Sequence, residues 1–204
     1  MRGRFITLEG GEGSGKSTQA RHVRDWLRAR GREVVLTREP GGTPLAEAVR
    51  ELVLRRWGED VNAATELLLM FAARAAHVHG LIAPSLARGV DVVCDRFVDS
   101  SYAYQGARGI DAVHLRALEA LAMPQIMPDL TLLLDLPPEQ GLDRAQVRGD
   151  GNRFEAETLD YQRRVREIFL RRAAEDPARC VVIDASASVD RVSAAIDAVL
   201  QARL

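Results

Sequence analysis

Residues Gly10-Gly11-Glu12-Gly13-Ser14-Gly15-Lys16-Ser17-Thr18 place glycines, one ammonium and two terminal hydroxyls in a fixed order. Gly10-x-x-x-x-Gly15-Lys16-Ser17 is the full P-loop pattern, and its context fits: the apolar run FITLE precedes it and the amphipathic QARHVRDWLRAR follows. Glycines let successive backbone N–H groups converge on phosphate oxygens. A helix starting at Ser17 adds its dipole and unpaired donors. Lys16 supplies a point charge near β- and γ-phosphates, and Ser17 offers a hydroxyl to Mg²⁺. The chain has 28 Lys plus Arg, of which Lys16 is the one lysine and 27 are arginine. A planar guanidinium replaces a compact ammonium poorly in a tight cradle, so arginine serves elsewhere and lysine is kept here.

The P-loop alone implies binding of a nucleoside triphosphate, and three further segments narrow the chemistry. Asp95-Arg96-Phe97 ends an apolar run and leads into VDSSYAYQG. There Asp95 could hold the water shell of Mg²⁺, and Arg96 could bond a second phosphate in bidentate fashion; an ordinary surface salt bridge is the plainer account. Arg38-Glu39-Pro40-Gly41-Gly42-Thr43 could present Arg38 to an acceptor, or be a simple Pro-Gly turn. Arg144, Arg148 and Arg153 surround RGDGNRFEA, whose two glycines and mixed charges suggest a flap over about 144–157. Phosphoryl transfer needs positive charge and exclusion of water, which a closing flap brings; three solvated helix-end cations would look the same. An NKxD guanine signature is impossible in a chain with a single lysine.

These residues need a scaffold that gathers them at one edge. Nearly continuous apolar runs at Arg4–Glu9, Glu33–Thr37, Val90–Asp95, Asp129–Leu136 and Cys180–Asp184 predict strands buried on both faces of a parallel sheet. Helical patterns alternate with them at Ser17–Arg30, Leu45–Arg56, Ala64–Ala87, Asp111–Ala122, Pro138–Val147, Leu159–Glu175 and Val189–Arg203. That alternation predicts a single doubly wound α/β domain over 1–204, with ligands beyond the carboxyl ends of the strands. At 47% apolar residues the chain can build a full core, and a net charge of -1 argues against a nucleic-acid polymer or anionic membrane as partner. Cys94 and Cys180 sit apart in apolar runs, as expected of reduced core thiols in a cytoplasmic protein. No run reaches about 18 uninterrupted apolar residues.

ITLEGGEGSGKST, TREPGGTPLAE, MFAAR, DRFVDSSYAYQG, RGID, PDLTLLLD and VIDA together resemble bacterial thymidylate kinase over nearly the whole chain. TREPGGT with DRxxxSSxAYQG is the specific part. The resemblance implies an adenylate-kinase-like P-loop fold with a five-stranded parallel sheet and a mobile lid. It also implies a homodimer, and transfer of the γ-phosphoryl group of ATP to dTMP with Mg²⁺.

Carried over residue by residue, Gly10 to Thr18 hold ATP phosphates, and Glu12 stands near the acceptor's 3′-hydroxyl. Arg96 clamps the dTMP phosphate with Arg38 close by, and Asp95 and Ser17 attend the metal. Arg74 bonds the thymine carbonyl edge, Ser100 and Ser101 lie near phosphate and base, Tyr104 crowds the sugar's 2′ position and Gln105 completes the motif. The loop interior carries no cation, so the resemblance is to the type whose catalytic arginines come from the lid, here Arg148 with Arg153 second. Arg144 could pack on adenine or reach phosphate. The chain departs from the family at two places. Met70 stands where a base-stacking phenylalanine is usual, leaving Met70 or Phe71 for that role, and Gln146 replaces a frequent lid arginine.

Overall fold

The computed structural model describes residues 2–55, 57–58, 61–148 and 157–204, with the backbone alone for 145–148. Strands β1 (Phe5–Glu9), β2 (Val34–Arg38), β3 (Asp91–Asp95), β4 (Leu130–Asp135) and β5 (Cys180–Asp184) form one parallel sheet in the order β2-β3-β1-β4-β5. The helices are α1 (Lys16–Arg28), α2 (Pro44–Leu54), α3 (Ala63–His77), α4 (Ala83–Ala87), α5 (Val98–Ala107), α6 (Ala112–Ala122), α7 (Pro138–Arg148), α8 (Leu159–Glu175) and α9 (Val189–Arg203). The strands fall within about a residue of the apolar runs that predicted them. β1, β3 and β4 are buried along nearly their whole length, whereas edge strands β2 and β5 are partly open.

Strand alternation divides the core. Ile6 and Leu8 of β1 pack with Val93, Leu132 and Leu134 beneath α1 and α9. Phe5 joins Phe71, Phe97 and Leu115 on the other face. Val49, Met70, Tyr104 and Phe169 extend that second layer with residues of α2, α3, α5 and α8. α1 leaves β1 toward one face and α5 leaves β3 toward the other. Because β1 and β3 are neighbours, a crevice opens beyond their carboxyl ends. That crevice positions the site.

The run Ala64–Ala87 is one helical stretch, Ala63–Ala87, as expected, but a π-helical turn, Val78–Ile82, separates α3 from α4 within it. Pro84 lacks an N–H, and in an α-helix its ring would press on the carbonyl four residues back, at Gly80; the wider turn relieves this. The run is long and apolar enough by composition to cross a membrane. It nevertheless buries Glu66, Arg74 and His77, as a core helix can when protein partners answer them.

α5 was not predicted as a helix at all. VDSSYAYQGA shows no apolar stripe because Val98 through Gln105 are all buried, so most of its polar side chains are answered by other elements. Asp99 accepts from Arg172 Nε at 2.6 Å and from Arg179 Nη1 at 2.7 Å. Tyr102 donates to Glu119 at 2.7 Å, and Tyr161 donates to the Tyr104 carbonyl at 3.0 Å.

Removing one partner of a buried ion pair leaves the other charge uncompensated. Asp99→Asn is therefore expected to cost about 3–5 kcal/mol, read from the shift of the urea unfolding midpoint. A loss below about 1 kcal/mol would show that α5 is held by apolar packing alone.

Candidate active site

The phosphate cradle is built by the turn between β1 and α1. Gly15, at φ 88°, is the N-cap of α1, and no acidic side chain occupies the first helical turn, so the positive end of the helix stays open to an anion. Lys16 is 7% exposed. Its Nζ donates to Gly11 O at 2.6 Å and to Ser14 Oγ at 3.2 Å. Burial, with Arg96 nearby, pushes the Lys16 ammonium down to about 8. Ser17 Oγ donates to Asp95 Oδ2 at 2.5 Å, linking the cradle to the end of β3.

The loop is locked against α7 by two glycines. A Cβ on Gly13 would lie 2.1 Å from the Gly141 carbonyl oxygen, and one on Gly141 would lie 2.4 Å from the Glu12 carbonyl oxygen. Backbone meets backbone here, so neither position has room for a side chain.

Opposite the cradle stands a cluster centred on Arg96, which adopts a left-handed backbone at φ 71°. Its Nη1 donates to Gly10 O at 2.9 Å and Ser100 Oγ at 3.2 Å, and its Nη2 to Glu12 Oε1 at 2.8 Å. Tyr104 donates to the same Glu12 oxygen at 2.8 Å, and its ring lies 5.0 Å beneath the Arg96 guanidinium. Burial opposes charge on Arg96, but the carboxylates of Glu12, Asp95 and Glu9 outweigh it and hold the guanidinium protonated. Burial also raises the Tyr104 phenol well above its usual value, so Tyr104 is a neutral donor.

Cradle and cluster share a cavity of about 480 Å³. Of the sequence-predicted residues, Glu12, Gly13, Gly15, Lys16, Ser17, Thr18, Arg38, Met70, Asp95, Arg96, Ser100, Tyr104, Gln105 and Arg144 line it. Arg38 is held by Glu47 at 2.9 Å, and Arg144 reaches the carbonyls of Ala185 and Ser186 at 3.0 and 3.3 Å. Arg153 and the side chains of Gln146 and Arg148 lie outside the described residues.

Met70 lines the cavity, whereas Phe71 turns into the core with Phe5 and Phe97. Phe71 is therefore corrected from a cavity residue to a core residue, beneath the Arg74 guanidinium at 4.7 Å. Arg74 and Ser101 stand behind the wall: Arg74 is 1% exposed and donates to Glu39 at 2.8 Å, Ser101 at 2.9 Å and Phe97 O at 3.1 Å. Three of its five N–H donors are so engaged among the described residues. Gln105 donates through Nε2 to Glu66 at 2.7 Å, and its buried Oε1 has no hydrogen-bond partner among the described residues.

Sequence reasoning missed Glu39, Pro40, Arg50 and Leu54, which also line the cavity. Glu39 is 4% exposed and joins Arg74 to His77, accepting from Nδ1 of the latter at 3.0 Å. Arg50 donates to Pro40 O at 2.9 Å. The available signal was α2 itself: Thr43 caps it and Pro44 starts it, so a cation two turns on points back along the TREPGGT edge.

A family model described as thymidylate kinase matches residues 8–196. The thymidylate kinase of Chromohalobacter salexigens is 55% identical over 205 residues, covering 99% of this chain and 97% of that relative. That of Pseudomonas fluorescens (strain Pf0-1) is 53% identical over 201 residues, covering 98% and 96%. Among solved structures, thymidylate kinase from Ehrlichia chaffeensis is similar with a TM-score of 0.79 and 36% identity, covering 98% of this chain and 99% of that one.

Gly141→Ala is expected to move the loop off α7 and raise the KM for ATP on the order of tenfold, by the sensitivity of positioned groups to shifts near 1 Å. Gly141 lies within a helix and its φ is ordinary, so alanine adds no backbone strain there. Steady-state kinetics with each nucleotide varied in turn check this; an unchanged ATP KM would mean that the contact yields freely.

Proposed function

Because the chain belongs to the thymidylate kinase family, and so transfers a phosphoryl group from ATP to dTMP, we propose roles for the residues that line its cavity. The observation that carries the reading is the shared cavity: a P-loop at one end faces a half-buried, protonated arginine at the other. Gly10 to Thr18 receive the ATP phosphates, Lys16 lies against the β- and γ-phosphates, and Arg96 receives the dTMP phosphate with Arg38 and Arg50 beside it. The acceptor is already anionic, so no general base is required, and the chain's contribution is alignment plus positive charge. Arg144 attends the adenine end. Arg148 and Arg153 of the lid bring further charge to the moving group, and the lid is part of one domain.

Ser17 and Asp95 are hard oxygen donors lying together at the cradle, which suits Mg²⁺. Among the described residues no group of three or more His, Cys, Asp or Glu could hold a metal. That fits an ion sharing its ligands with substrate phosphates. When bound, it would neutralise charge on the transferring phosphates.

At the base end Met70 covers the ring, and Arg74, Ser100 and Ser101 support its polar edge. The free acceptor on Gln105 selects a base with an imide N–H, present in thymine and absent at N3 of cytosine. Tyr104, fixed by Glu12 at 2.8 Å, crowds a 2′-hydroxyl. We place the enzyme in the cytoplasm, with two free buried cysteines, acting on free nucleotides without a nucleic-acid or membrane partner. We further propose a homodimer through α3 and its neighbours, where Leu68 is 60% and Leu121 of α6 79% exposed.

Arg96→Ala is expected to lower kcat/KM for dTMP by about 10²–10³-fold, with the KM for ATP little changed. Near-normal turnover would remove Arg96 from the acceptor site. In a panel of monophosphates, dTMP should lead dCMP and every ribonucleotide; a preferred ribonucleotide would sink the Tyr104 role. Light scattering should give twice the 22.4 kDa chain mass, and a monomer at micromolar concentration would rule out the dimer.

A further inference from the structure

Glu9 closes β1 and is fully buried, yet it lies outside the cavity wall and neither the P-loop pattern nor the acceptor cluster calls for a carboxylate there. Its Oε1 accepts the backbone N–H of Phe97 at 2.7 Å and of Ser100 at 3.3 Å. Its Oε2 accepts the Ser100 hydroxyl at 2.6 Å. Ser100 Oγ in turn receives Arg96 Nη1 at 3.2 Å. Phe97 is the N-cap of α5 and has no side-chain cap of its own, so the orphan donors of that helix are met by a residue from another strand. One residue before this cap sits Arg96, in its left-handed conformation.

We propose that Glu9 is the positioning residue for Arg96. In its anionic form the carboxylate holds the turn between β3 and α5, and with it the direction in which the guanidinium faces the acceptor phosphate. This rests on the reading of Arg96 as the acceptor clamp.

The anionic form is required because every hydrogen bond that Glu9 makes is an acceptance. A proton on Oε2 would compete with the Ser100 hydroxyl and remove one of the negative charges that offset Arg96. The groups facing Glu9 come from several elements. Asp99 lies on α5, Arg172 on α8, Lys16 on α1, and the Cys94 and Cys180 thiols on β3 and β5. Burial, reinforced by Asp99, raises Glu9 to about 7, with Ser100, Arg96 and the Phe97 amide pulling the other way. Positioning is therefore pH-dependent near neutrality.

Stability and function then run in opposite directions. The folded-state value exceeds the unfolded one of 4.5, so folding takes up a proton between about pH 4.5 and 7. The contribution of Glu9 to stability declines through that window and is flat above it. Arg96 alignment instead improves as pH rises through about 7.

Glu9→Gln keeps the shape but turns an NH₂ toward hydrogen-bond donors. In this variant we expect the KM for dTMP to rise about tenfold and that for ATP to change less than about twofold. The ratio of wild-type to variant kcat/KM for dTMP should climb through about pH 7. Ionisation of the substrate phosphate near pH 6 affects both enzymes alike and cancels in that ratio. The wild type should lose unfolding stability relative to the variant between about pH 4.5 and 7. A stability difference with a ratio that stays flat from pH 5.5 to 8.5 would mean a structural role only and would overturn the proposal. If Glu9→Gln does not fold, Ser100→Ala carries the comparison: its pH step in dTMP KM should shrink, and an unchanged step overturns the link. Arg96→Ala separates the two readings. An unaffected dTMP KM there sinks the acceptor assignment itself, whereas an impaired one alongside an unaffected Glu9→Gln sinks Glu9 alone.

Discussion

A polar helix buried on all sides must have its donors and acceptors answered from elsewhere or leave them for a ligand, since an unpaired buried group costs about 1–3 kcal/mol. α5 is such a helix, and its answers come from across the molecule. Asp99 takes α8 and the approach to β5, Ser100 takes the end of β1, and Ser101 takes α3 through Arg74. Tyr104 takes the P-loop through Glu12, and Gln105 takes the start of α3 through Glu66. Each bond fixes the rotation of α5 about its axis as well as its depth. Arg96, Tyr104 and Gln105 then have one direction open to them, the crevice between β1 and β3.

Charge is arranged on the same plan. Lys16, Arg38, Arg50, Arg96 and Arg144 converge on a cavity that also receives Glu12, Glu39 and Asp95. The carboxylates keep the cations from repelling one another and set their directions: Glu47 orients Arg38, and Glu12 orients Arg96. The lone lysine sits inside the turn of its own loop, with Gly11 O at 2.6 Å and Ser14 at 3.2 Å. A guanidinium in that turn would bring a wide plane of donors where an ammonium brings a point, which agrees with the preference read from composition.

Legibility in the sequence followed how strongly burial differs between faces. The strands were plain because β1, β3 and β4 are buried on both faces and mostly apolar, and α1 was plain because Gln19, Ala20, Val23 and Leu27 recur on one side. The P-loop and the DR pair were readable as chemistry and lie together in the structure. α5 was invisible for the opposite reason: with no exposed side there is no stripe, and Ser, Tyr and Gly do not announce a helix. Whether Met70 or Phe71 faces the cavity was undecidable until the rotation of α3 was known, and the anchoring of Arg74 on Glu39 decides it. Glu9 was hidden because a carboxylate ending an apolar strand looks like the start of a loop.

The same packing explains how Arg96 can hold a strained backbone at the edge of the cavity. A strand entering a helix by ordinary backbone would carry Arg96 onward along β3, away from the P-loop. A single left-handed residue reverses the chain at once, at a cost of order 1–3 kcal/mol, and such strain persists only where its surroundings over-determine it. Here they do. Arg96 N is held by Leu8 O at 2.9 Å, and the next amide by Glu9 at 2.7 Å. The guanidinium is tied to Gly10, Glu12 and Ser100. Three consecutive positions at the end of β1 thus hold one turn at the end of β3. The geometry of the Arg96 turn is therefore set by the end of β1 in the middle of the sheet.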